Sequence, residues 1–137
     1  MKYEAQHMEG EEALAVARAA AAAARTAPKA KGVDQIVTLV LTGPEKDRLA
    51  DETLKIGEEK NIPFFVRDAK NLRAAAAVLL VGVKNKARGV PNCGYCGYPD
   101  CAANTAAGGV CAMCVTDLGI ALGSAASLAA DRRADTR

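Results

Sequence analysis

The chain has 137 residues, half of them hydrophobic, with 18 Lys and Arg against 16 Asp and Glu and a formal net charge of +2. That length holds one α/β-sized domain with a single core rather than two, and so small a charge, without a polybasic block, argues against nucleic acid as a partner. Three Tyr, two Phe and no Trp leave alanine to fill the interior, so close backbone packing must replace bulky side chains.

Glu9, Glu11 and Glu12 lead an alanine-rich segment that ends in Arg25, Lys29 and Lys31, a charge order that complements a helix dipole over residues 9–26. Pro28 stops this helix. Ala19 to Ala24 offer a smooth face, and Gly119, Gly123 and Ser127 recur every four residues in the last helix and strip one of its faces of bulk. The two small-residue faces are expected to pair, within one chain or, in a homodimer, between two.

Gln35 to Leu41 is an apolar, β-branched run of strand length. Thr42-Gly-Pro-Glu45 then predicts a helix to Lys60, with Thr42 as cap, Pro44 in the first turn and Glu45 closing a capping box. Its mixed charges predict a solvated outer face. Asn61-Ile-Pro63 turns the chain into Phe64-Phe65-Val66, read as a short strand, and Asp68 caps a brief helix through Arg73. Val78 to Val83 reads as another strand. Helices interleaved with strands predict an α/β domain over 1–137, a layered sheet of three to four strands with helices on its faces.

All five cysteines fall in one stretch, at Cys93, Cys96, Cys101, Cys111 and Cys114, inside a Cys-rich segment 89–114 that precedes the last helix. Two chemistries compete for this spacing. Cys93, Cys96, Cys101 and Cys111 put three thiolates in a Gly-rich turn and a fourth beyond it, the pattern of an iron–sulfur centre. Cys93, Cys96, Cys111 and Cys114 make two Cys-x-x-Cys knuckles for tetrahedral zinc and leave Cys101 over. Lys84, Lys86 and Arg88 lead into the segment; beside a negatively charged cluster they would raise its potential or attract an acidic partner. Cys111 falls at the start of the last helix, where free N–H groups favour a thiolate.

His7 is the only histidine, which argues against Ser-His-Asp and Cys-His sites, and neither a Walker loop nor a dinucleotide Gly-x-Gly-x-x-Gly occurs. Redox chemistry would therefore reside in a cofactor. The charge-free runs fall short of the roughly 18 residues that span a membrane, and Met1 to Gly10 lacks the pattern of an export signal. A cytoplasmic protein without membrane contact is expected, and in a reducing compartment an odd number of close cysteines suits metal better than disulfides.

The run Asn92-Cys93-Gly94-Tyr95-Cys96-Gly97-x3-Cys101 resembles the iron–sulfur domain of redox proteins from anaerobic prokaryotes. With Ala23-Ala-Arg-Thr-Ala-Pro-Lys29, Phe64-Phe-Val-Arg-Asp68 and Asp117-Leu-Gly-Ile-Ala-Leu-Gly-Ser124, nearly the whole chain resembles an uncharacterised family of ferredoxin-domain-containing proteins. The resemblance implies Cys93, Cys96, Cys101 and Cys111 as ligands of a 4Fe–4S cluster, with Cys114 a small buried thiol, and implies electron transfer to a redox partner protein or redox sensing. Members of that family continue past the polar tail 131–137, so a shortened chain or a natural short form is expected. The order of elements is also similar to half of a nitroreductase-like flavin fold. That similarity implies FMN held between subunits, with Arg25 and Lys29 at its phosphate, although the Ser and Asn that follow Ala-Pro in those enzymes are absent. A zinc-stabilised interaction module is the third reading.

Overall fold

The computed structural model describes residues 1–137. Alanine, the residue with the least to lose in a helix, builds α1 from Ala5–Thr26, one turn earlier than the acidic cluster suggested. A short 3-10 turn, Ala30–Gly32, leads into β1, Ile36–Leu41. The helices α2, Gly43–Glu59, and α3, Pro63–Ala74, follow, and the chain returns through β2, Val78–Val83. After the cysteine loop come α4, Cys101–Ala106, and α5, Ala112–Asp131.

The two strands pair antiparallel, from Ile36 opposite Val83 to Leu41 opposite Val78, and they are the whole sheet. This corrects the expectation of three to four strands. Phe64-Phe65-Val66 opens α3 instead of forming a strand: Pro63 is suited to the first helical turn, and Phe65, Val66, Ala69 and Leu72 fall at helical spacing on the side that is wholly or partly buried. The expected capping box is also absent, since the Thr42 side chain makes no cap hydrogen bond and Glu45 pairs with Arg48.

Period-two alternation sends Ile36, Leu79, Val81 and Val83 to the face that meets α1 and α5. The opposite face leaves Val37, Leu39 and Leu80 exposed. Helices therefore cover one side of the sheet rather than both of the faces on which the sequence predicted them. The α2–α3 pair packs on itself: a Cβ on Gly57 would come within 3.0 Å of Phe65 Cβ and the Val66 nitrogen, so only glycine lets the backbones approach this far.

The small-residue pairing occurs inside the chain, on a different face of α5 from the one expected. Ala20 and Ala24 of α1 meet Ala121 and Ala125 of α5 around Ile36, and Ser124 Oγ donates to the Ala23 carbonyl at 3.1 Å. Gly119, Gly123 and Ser127 are exposed. By length and composition α5 could cross a membrane; the charge-free runs missed this because the helix tolerates Asp117 and Asp131 within its apolar stretch.

Candidate metal centre

The loop from β2 to α4 winds back on itself at Gly94 and Gly97, whose φ angles of 62° and 79° are costly for residues with a Cβ. Asp100 then ends the loop by capping α4, accepting from the Ala103 N–H at 2.8 Å. Cys101 is thus the first residue of a short helix that the sequence reading did not foresee.

Asn104 and Asn85 fix the approach to the last cysteines. Asn104 is buried; its backbone carbonyl accepts from the Gly109 N–H at 2.9 Å, and its Nδ2 donates to the Val110 carbonyl at 3.4 Å. A Cβ on Gly109 would lie 2.6 Å from Asn104 Nδ2 and 3.0 Å from Tyr98 Cε2, so a larger residue there would push one of these side chains aside. Asn85 donates to the Gly109 carbonyl at 3.0 Å and accepts from the Cys111 N–H at 3.2 Å. These two amides carry no motif; only tertiary contact reveals them.

Cys111 is the N-cap of α5 and is buried. Burial by itself pushes its thiol up, but N–H groups of Arg88, Cys114 and Met113 outweigh it and hold the thiol below the ordinary cysteine range. Cys114 moves the other way: burial raises it, and the neighbouring Cys111 adds to the rise. Its Sγ donates to the Lys86 carbonyl at 3.2 Å.

Behind the cysteines lies a buried ion pair. Arg88 Nη2 donates to Asp117 Oδ2 at 2.5 Å, and Asp117 Oδ1 accepts from the Ala30 N–H at 2.9 Å. With its amide turned to satisfy both neighbours, Gln35 accepts from Arg88 Nη1 at 3.2 Å and donates to the Lys84 carbonyl at 3.0 Å. Arg88 Nε has no partner. The pair ties the cysteine loop to the turn after α1 and to α5, while Lys84 and Lys86 stay exposed.

Cys93, Cys96, Cys101 and Cys111 all line one cavity of about 310 Å³, with Arg88 and Tyr98 among the other residues of its wall. Cys114 does not line it. No group of three or more Cys, His, Asp or Glu side chains converges closely enough to hold a single metal ion. Zn–S bonds of about 2.3 Å would draw four thiolates into a much tighter knot, whereas four thiols around a cavity of ligand size fit a polynuclear centre. Cys93, Cys96, Cys101 and Cys111 thus share one cavity wall, while Cys114 meets the Lys86 carbonyl outside it.

Arg25 and Lys29, the two positions considered for a flavin phosphate, lie away from this cavity and are engaged within the fold. Lys29 Nζ donates to the carbonyls of Ala24, Arg25 and Ala27 and closes the C-terminus of α1. Arg25 pairs with Asp34. The three protons of the Lys29 ammonium are thus taken by backbone carbonyls.

Residues 107–137, which contain Cys111 and α5, match a family described as "Uncharacterized protein containing a ferredoxin domain (DUF2148)". Over 127 residues the chain is 39% identical to an uncharacterized protein of Archaeoglobus fulgidus, a match that covers 85% of this chain and 67% of that protein. No solved structure matches the chain.

Proposed function

Because the chain belongs to the family of uncharacterized proteins that contain a ferredoxin domain, we propose that it holds one 4Fe–4S cluster through Cys93, Cys96, Cys101 and Cys111 and serves in electron transfer or redox sensing. The observation that carries this reading is the shared cavity: these four thiols line it and the fifth does not. When bound, the cluster supplies one-electron oxidation and reduction.

The chain's own residues bind and orient. Cys111 is kept in place by the Asn85 side chain at its N–H and meets further N–H groups at its sulfur, which favour the thiolate that a metal needs. The Arg88–Asp117 pair fixes the cavity wall against α5. Exposed Lys84 and Lys86 give the approach to the loop a positive character suited to an acidic redox partner. Five free thiols suit a reducing compartment, and we read the protein as cytoplasmic.

The full chain, produced and purified without oxygen, tests the reading. A broad visible absorption that bleaches on adding dithionite, with a paramagnetic signal after one-electron reduction, is the expected result. Colourless protein carrying one zinc per chain would overturn it.

A further inference from the structure

Cys114 is the one cysteine that the cluster leaves unused, and it stands directly beside one that the cluster takes. Cys111 is the N-cap of α5 and Cys114 lies in the first turn, where its N–H donates to the Cys111 carbonyl at 3.0 Å. Residues three apart at a helix start share a face. Both are held from the same side: Asn85 Oδ1 accepts from the Cys111 N–H at 3.2 Å, and the Lys86 carbonyl accepts from Cys114 Sγ at 3.2 Å.

Access to the two is unequal. Cys111 lines the cavity and retains 7% exposure, whereas Cys114 has none and lies outside the cavity. Of these two thiols, a small reagent entering the cavity reaches Cys111 and not Cys114. Cys114, one helical turn on, is sealed from solvent. Cys93 and Cys96 share the Cys-x-x-Cys spacing, but both line the cavity from an irregular loop and neither is the hidden partner of the other.

We propose that Cys111 and Cys114 form a reversible disulfide by exchange with a small soluble disulfide whenever Cys111 is not bound to metal. The Cys111 thiolate attacks one sulfur of the small disulfide, forming a mixed disulfide and releasing one small thiol. Cys114 loses its proton and attacks the Cys111 sulfur, closing the 111–114 bond and releasing the second small thiol. Two protein thiols are oxidised, one small disulfide is reduced to two thiols, and no other reactant is needed. This dithiol chemistry goes beyond the cluster reading and touches it at one atom: the Cys111 sulfur serves either the cluster or the disulfide.

The test uses the full chain, reduced and freed of metal under anaerobic conditions, then exposed to oxidised glutathione and mapped by peptide mass. The segment containing residues 111–114 is expected to lose two hydrogens without retaining glutathione. Cys114→Ser is expected to accumulate glutathione on Cys111, and Cys111→Ser to leave Cys114 unmodified. A wild-type chain that keeps glutathione on Cys111 as fully as Cys114→Ser, or that stays reduced at 111–114 while Cys93 and Cys96 join, overturns the inference. The same treatment of iron-loaded chain separates the two readings: protection of 111–114 is expected, and disulfide formation there with all iron retained would remove Cys111 from the ligand set while leaving the dithiol reaction standing.

Discussion

Arg88 and Asp117 meet at 2.5 Å with side chains only 2% and 3% exposed, and their contact joins three parts of the chain that are distant in sequence. Removing one partner leaves the other charge buried without compensation, which costs about 3–5 kcal/mol. Here the loss is compounded, because Asp117 also accepts from Ala30 and Arg88 Nε already lacks a partner. Asp117→Ala is therefore predicted to lower stability by about that amount, read from the midpoint of urea unfolding; a midpoint equal to that of the parent chain would show the pair to be dispensable.

The two faces of α5 predict opposite responses. Ala121 is fully buried against α1, so Ala121→Leu should destabilise by about 1–3 kcal/mol through overpacking. A Cβ at Gly123 meets nothing within 4 Å, and Gly123→Ala should stabilise by about 0.4–1 kcal/mol by restricting the unfolded chain. Thermal unfolding of the two variants checks both signs. Reversal would mean that the glycine face, rather than the alanine face, is the packed one.

Acid should act through Asp34. Burial works to raise its carboxyl, but hydrogen bonds from Arg25 and the Ile36 N–H, with the charges of Arg25 and Lys29, hold it below the usual carboxylate range. A depressed folded-state value means that this stabilisation is fully present above the ordinary value of about 3.9 and is lost as pH falls through the lower one. Asp34→Asn should therefore be less stable than the parent at neutral pH, with the gap closing as pH falls below 4, roughly the unfolded value. A gap constant from pH 7 to 2 would contradict the assignment.

Lys46 should behave as a structural lysine. Its ammonium is buried and donates to the Leu72 and Arg73 carbonyls at 3.0 and 2.7 Å, closing α3. Lys46→Met keeps much of the volume and removes the donors, and with carbonyls left short of partners it should cost about 1–3 kcal/mol. Amide hydrogen exchange should quicken first in the last turn of α3; an unchanged exchange pattern there would refute the capping role.

What could be read from the chain and what could not divide along physical lines. Strands β1 and β2 and helices α1, α2 and α5 follow local rules, apolar runs of strand length and helical composition punctuated by Pro and Gly, and those rules act within a few residues. The strand expected at Phe64–Val66 failed because two aromatics and a valine satisfy strand and helix alike, and Pro63 with the later Ala69 and Leu72 decides for helix. The face of α5 was misjudged because glycine and alanine are both small, and only the position of α1 and Ile36 tells which row is buried. Asn85 and the Arg88–Asp117 pair were invisible for a stronger reason: their partners lie more than twenty residues away, and nothing in a local window marks them. The cysteines, by contrast, mark a candidate site by residue type alone, while the contact between Cys114 and the Lys86 carbonyl comes only with the fold.

The central claim is that Cys101, and not Cys114, completes the metal-binding set. Iron and acid-labile sulfide should be measured on anaerobically prepared parent, Cys101→Ser and Cys114→Ser chains side by side. Equal iron and sulfide in the parent, kept by Cys114→Ser and lost by Cys101→Ser, is the predicted result. Zinc in their place, kept by Cys101→Ser and lost by Cys114→Ser, would contradict it.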